Sequence, residues 1–180
     1  MEIPITGFLY LFIFFTVIIY NSFFNNFFYK ILLVNKKIIE ELKKLALKAK
    51  ENDEVPISAI IAKKDKIIFS AYNTCHKSNN PLNHAEMIVI NYALKKTKKK
   101  FLNEFDIYTS LEPCALCASA ISFCRIKRIF FCAYDTKFGA IENGAKIFNK
   151  KNSMYKPKVF GGIEEKFFTN LLKEFFKSKR

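Results

Sequence analysis

The chain has 180 residues, which is room for one domain and a short appendage but not for two full domains. An apolar share of 51% permits a sizeable core and excludes global disorder. Thirty Lys and Arg against sixteen Asp and Glu leave a formal charge of +14, which suits a polyanionic partner, nucleic acid or an anionic membrane, although a Lys-rich chain with abundant Ile, Phe and Asn also follows from AT-rich coding alone.

Residues 1–34 carry one acid, Glu2, and one base, Lys30, so the whole net charge belongs to residues 35–180. Eighteen apolar-dominated residues from Ile3 reach membrane-spanning length, with Lys30, Lys36 and Lys37 on a cytoplasmic flank. The alternatives are translated spacer ahead of an alternative start at Val34 and an ordered extra helix. No basic n-region or small-residue cleavage site supports a signal peptide.

From residue 35 the texture is globular, and residues 35–180 read as the catalytic domain. Ile38, Ile39, Leu42, Leu45, Ala46 and Ala49 follow helical spacing over residues 35–51, with Asn35 as N-cap. Residues 55–62 and 66–72 read as strands joined at Lys64-Asp65. A polar loop, 73–83, leads to a helix from about His84 to Lys95. The Lys run at 95–100 reads as a solvated charged turn, with an RNA contact as the alternative. A strand at 106–111, a helix from Pro113 to Cys124 and a strand at 127–134 follow. The loop 135–158 holds a short helix near 145–148. A last amphipathic helix aligns Ile163, Phe167, Phe168, Leu171, Leu172, Phe175 and Phe176. Alternating helices and strands give an α/β class with a layered sheet.

Five cysteines are an odd number in a chain too long for a disulfide scaffold, so a reducing compartment, the cytoplasm, is expected. His84-Ala85-Glu86 opens one helix and Pro113-Cys114-Ala115-Leu116-Cys117 opens the next. Together, H-x-E and P-C-x-x-C form the signature of the zinc nucleobase deaminases. The chemistry fits: a catalytic zinc takes three N or S donors, here His84, Cys114 and Cys117, and keeps a fourth position open for water. Cys114 and Cys117 share a helix face. Pro113 suits the first turn, and the positive helix end favours thiolates. Glu86, two residues from His84, is turned away from the ligand direction and suits proton transfer rather than coordination. Cys124 and Cys132 read as small buried apolar residues, and Cys75 and His76 as parts of a solvated loop.

These residues resemble the cytidine and nucleotide deaminase superfamily and, within it, the bacterial tRNA-specific adenosine deaminases of the TadA type. The resemblance runs over about residues 37–180 and is most specific at Thr109-Ser110-Leu111-Glu112-Pro113-Cys114-Ala115-Leu116-Cys117-Ala118, continuing through Arg125-Ile126 into residues 135–140. It implies a three-layer α/β/α fold with a mixed sheet of about five strands, one zinc ion per chain, and a homodimer. It implies the conversion of adenosine to inosine at the wobble position of a tRNA anticodon. By the same resemblance Asn73 binds the flipped base, and the backbone around Ala59 and Ser110 lines the pocket. The helix bearing Phe175 and Phe176, with Lys177, Lys179 and Arg180, approaches the anticodon stem-loop, although from the residues themselves the Phe pair reads as core packing. Departures bear on substrate identity more than on reaction type. Ser58 stands where the family usually has Gly, residues 79–83 lack the usual Asp-Pro, and Ile141-Glu142-Asn143 replaces a small-residue run. The alternatives are a guanine, cytosine, cytidine or dCMP deaminase and, from a different class, an inactive RNA-binding paralogue.

Overall fold

The computed structural model describes residues 35–179. The expectations for residues 1–34, including the membrane contact, and the RNA role of Arg180 lie outside the described residues. Among the described residues no helix is long and apolar enough to cross a membrane.

Helix α1, Lys36–Glu51, starts where Asn35 accepts the Lys37 N–H at 3.0 Å, supplying one of the orphan first-turn donors with a partner. Its apolar stripe buries Ile38, Ile39, Leu42, Ala46 and Ala49. Strands β1, Ser58–Lys63, and β2, Lys66–Tyr72, form a hairpin. Lys64 and Asp65 both take positive φ, 48° and 60°, the twist a two-residue hairpin turn requires. The expected start of β1 at residue 55 moves to Ser58. Pro56 has no N–H for a ladder, and the Ile57 N–H turns back to the Val55 carbonyl at 2.6 Å.

Helix α2, Ala85–Thr97, strand β3, Asp106–Leu111, helix α3, Ala115–Phe123, and strand β4, Arg128–Ala133, follow in order. A single 3-10 turn, Ile147–Asn149, occupies the long loop. The fifth strand, β5, Lys158–Phe160, has only three residues after Pro157, too few for an alternation pattern to reveal it. The last helix, α4, spans Glu165–Lys177, with Ile163 outside it: the Ile163 N–H bonds the Phe131 carbonyl.

The sheet order is β2-β1-β3-β4-β5, antiparallel on the β2-β1-β3 side and parallel from β3 to β5. Strand alternation splits the core. Ala59, Ile61, Ile107, Ile129 and Phe131 pack with Val89 and Ala93 of α2 and with Ala118 and Ile121 of α3. On the other face, where α1 and α4 meet, Tyr108, Phe130 and Phe160 stack across three strands at 4.5 and 4.8 Å. Burying each such Ile or Phe contributes about 1.5–3 kcal/mol. This is the expected α/β/α layering of a mixed five-stranded sheet. Because β3 and β4 are parallel, their C-terminal ends emerge on one edge, and there the site is built.

Candidate active site

His84 and Cys114 are the N-cap residues of α2 and α3, both in extended backbone, and neither side chain caps its own helix. Both instead turn toward one point. The His84 Nδ1 lies 3.7 Å from the Cys114 Sγ and 3.4 Å from the Cys117 Sγ. Among the described residues these three make the one group whose metal-ligating atoms all lie within 4.8 Å of one another. The sequence reading is corrected at Pro113, which stands outside α3 rather than in its first turn. Its carbonyl instead accepts the Ala140 N–H at 3.0 Å. Cys114 and Cys117 meet because an N-cap side chain folds over the third helical residue, not because both stand on a finished helix face.

The donor set suits zinc: one imidazole and two thiols, with room for a fourth ligand. The neighbouring Cys117 thiol pulls the Cys114 thiol down to about 4, against burial and with help from His84. The hydrogen bond with Cys114 and then burial push the Cys117 thiol up. A second thiolate there therefore calls for a cation. His84 is raised by its bond to Cys114, against the opposing effect of burial.

Glu86 is the second residue of α2 and only 4% exposed. Its Oε2 is buried without a hydrogen-bond partner. Burial pushes its carboxyl up to about 7, a value matched to proton exchange near neutrality.

Asn73 sits at the end of β2, and its Oδ1 accepts the Ala85 N–H at 2.8 Å, giving α2 the cap that His84 does not provide. Only its Nδ2 is left for a ligand. Ala59 and Ser110 are buried in β1 and β3 and are not among the residues that line the cleft, and the Ser110 Oγ accepts the Ser58 N–H at 2.8 Å. The Phe pair is divided: Phe175 is 4% exposed and packs in the core, whereas Phe176 is 51% exposed and faces the cleft, so core packing holds for only one ring. Lys177 and Lys179 also border the cleft, with Lys179 paired to Asp53. Cys132 is buried and Cys124 partly so. Cys75 and His76 stay apart from the three ligands, the latter with its Nδ1 3.1 Å from the Asp53 carbonyl.

The cleft in front of the ligands has a volume of about 1240 Å³ and is walled by Tyr134, Lys137 and Phe138 on one side and by Lys173, Phe176 and Lys177 of α4 on the other. That exceeds the roughly 300–1,000 Å³ of a small-molecule pocket.

Sequence reasoning missed two buried acids that hold loops beside the site: Glu112, which holds the wall of residues 135–143, and Glu54, which holds the loop at residues 76–77. The Glu112 carboxylate, only 2% exposed, accepts five hydrogen bonds: from the N–H groups of Asp135, Ile141, Glu142 and Asn143 and from the Asn143 Nδ2, at 2.6–3.2 Å. Burial pushes its carboxyl up, but the bonds from Asn143, Glu142 and Ile141 outweigh it and hold the group below its ordinary value. Glu54, 1% exposed, likewise accepts the N–H groups of His76 and Lys77. Gly139 packs against Glu112, where an added Cβ would lie 2.6 Å from the carboxyl carbon. The available signal was an acid directly before Pro113 with no cation spaced to pair with it.

The family described as the cytidine and deoxycytidylate deaminase zinc-binding region matches residues 34–133. A tRNA-specific adenosine deaminase of Rickettsia felis is 43% identical over 144 residues, covering 79% of this chain and 100% of that protein. One of Bacillus subtilis is 32% identical, covering 79% and 88%. A solved structure from a study of A-to-I editing by tRNA:A34 deaminases at the wobble position superposes with a TM-score of 0.75 at 35% identity, over 77% of this chain and 100% of that one. A guanine deaminase of Nitrosomonas europaea, 17% identical with a TM-score of 0.64 over 76% and 81%, shares the fold.

Proposed function

Because the chain belongs to the cytidine and deoxycytidylate deaminase zinc-binding family, we propose that it hydrolyses adenosine to inosine and ammonia at the wobble position of a tRNA anticodon. The observation that carries this reading is the convergence of His84, Cys114 and Cys117 beside the buried Glu86 carboxylate, whose Oε2 has no hydrogen-bond partner. His84, Cys114 and Cys117 would hold one zinc ion per chain. When bound there, zinc polarises a water for attack on the amidine carbon of the base.

Glu86 would take one proton from the attacking water and pass it to the ring nitrogen, then take the second from the newly formed C–OH and pass it to the amino group, which leaves as ammonia. Its Oε2 has no other partner to release first. Asn73 donates through Nδ2 to an acceptor of the flipped base, while its Oδ1 keeps α2 in place. A loop nucleotide is the cheap substrate, since it leaves its stack at little cost. The size of the cleft and its Lys137, Lys173 and Lys177 suit a nucleotide with flanking phosphates better than a free base. The same reading makes the protein cytoplasmic and a homodimer.

The test is inosine formation in an anticodon stem-loop carrying adenosine at the wobble position, run beside free guanine, cytidine and dCMP. Turnover of the stem-loop supports the proposal; turnover of free base or nucleotide alone overturns it.

A further inference from the structure

The Lys run at residues 95–100 lies far from the cleft. Helix α2 begins next to His84 and ends at Thr97, so its thirteen residues carry the chain about 20 Å from the ligands. Strand β1 leaves the site in the same direction, from Ser58 beside Ser110 to Lys63. Helix α3 leaves it too, from Cys114 to Cys124. The three ends are laced together. Leu102 N–H bonds the Cys124 carbonyl, Lys127 N–H bonds that of Phe105, Lys158 N–H bonds that of Lys127, and Lys63 pairs with Glu104 at 3.1 Å.

This pole gathers Lys63, Lys64 and Lys66 from the hairpin and Lys95, Lys96, Lys98, Lys99 and Lys100 from the end of α2. Arg125, Lys127, Arg128 and Lys158 come from the starts of β4 and β5. Against these twelve bases stand three acids, Asp65, Glu104 and Asp106, so nine of the fourteen net charges are concentrated here.

AT-rich coding accounts for many Lys but not for where they cluster, and it does not enrich Arg. Two of the three Arg of the chain are at this pole. Arg128 is committed to Asp106 through two bonds, at 2.7 and 2.5 Å. Arg125 has no acidic partner. Its exposed guanidinium lies 4.1 Å from the Phe101 ring centre, which Lys100 also approaches at 5.5 Å. A guanidinium laid on a ring keeps its donors free to face a phosphate.

We infer that this pole is a second RNA-contact surface, which grips the phosphate backbone of the substrate beyond the nucleotide held in the cleft. The inference rests on the tRNA reading of the active site. The separation of about 20 Å matches about six phosphate steps of one strand, well within one RNA arm.

The experiment compares the full chain with a variant carrying Lys95→Gln, Lys96→Gln, Lys100→Gln, Arg125→Gln and Lys127→Gln, none of which has an acidic partner among the described residues. On full-length tRNA the variant's KM should rise at least tenfold near 0.1 M salt, with kcat and zinc content unchanged. The salt dependence of binding should flatten by about 0.7–0.9 logarithmic units per lost contact. On a minimal anticodon hairpin, too short to reach the pole, KM should stay within twofold. A charge-keeping variant with Arg at the four lysines should behave as the parent protein. An unchanged salt slope, an equal loss on hairpin and full tRNA, or stronger binding of the pole to anionic vesicles than to RNA would overturn the inference. If the parent protein deaminates neither RNA, the tRNA reading fails, and the salt slope of RNA binding still decides the pole.

Discussion

Glu112 offers the sharpest perturbation, because one side chain holds the whole wall formed by residues 135–143. Glu112→Ala removes five hydrogen bonds at once. Bonds to a charged acceptor are worth about 1.5–3 kcal/mol each when measured singly, but five bonds that share one carboxylate do not add. The groups at Asp135, Glu142 and Asn143 are near enough to the surface to recover water. The Ile141 N–H, in a residue only 4% exposed, is not. One orphaned donor at about 1–3 kcal/mol, added to the lost packing of a buried side chain, gives a total near 4 kcal/mol, or about 8–16 °C in Tm for a domain of this size. Glu112→Gln keeps the shape but turns an amide donor on donors, and should cost about half as much. The assay is urea unfolding at pH 7 and fixed zinc concentration, alongside KM for the stem-loop. The pH behaviour provides a second check. The folded carboxyl titrates below its unfolded value, so its stabilisation is complete above about pH 4.3 and fades as pH falls through the folded value. The stability gap between the parent protein and Glu112→Gln should therefore be flat from pH 8 to 5 and should narrow in more acidic solution. A cost below about 1 kcal/mol with unchanged KM would refute the assignment, because so small a loss is that of one ordinary hydrogen bond.

Replacing Glu86 by Gln should lower kcat by at least about a hundredfold while zinc stays near one per chain by elemental analysis; loss of the metal instead would make Glu86 a ligand. Asn73→Ala should destabilise by about 1 kcal/mol through the lost cap and raise KM, and a change in KM alone would show that the bond to Ala85 carries no weight. Gly139→Ala would place a Cβ 2.3 Å from the Asp135 carbonyl oxygen, so melting should occur well below the parent temperature and the cleft should widen; an unchanged Tm would mean the loop yields freely. Dialysis against a chelator should abolish turnover, and added zinc should restore it, whereas persistence of activity without metal would remove the premise of the site.

Local patterns were legible wherever one residue decides one feature. Asn35 before a 3.6-residue stripe marks α1, and His84, Glu86, Cys114 and Cys117 mark the site because zinc chemistry constrains residue type and spacing together. What stayed hidden depends on contacts distant in sequence. Strand β5 exists only because Val159 and Phe160 pair with Ile129 and Phe130; three residues carry no period of their own. Phe175 and Phe176 look equivalent in a hydrophobic run, yet the turn of α4 sends one ring into the core and the other to the cleft. The resemblance assigns Asn73 to the substrate, but half of its amide is spent on the start of α2, twelve residues onward. Glu112 was hidden most completely, because its partners are backbone N–H groups, which every residue type supplies.

The placement of His84 and Cys114 at strand-to-helix junctions has a consequence for how such a chain can change length. Helix α2 departs from the cluster of His84, Cys114 and Cys117, and β3 returns to it from the far pole. The ligands are therefore fixed by the two junctions and not by the number of residues between them. Extra residues inserted near Lys98–Lys100 would enlarge the far end of the molecule and leave the coordination geometry where it is. The same insertion next to Asn83 or Pro113 would separate the ligands outright.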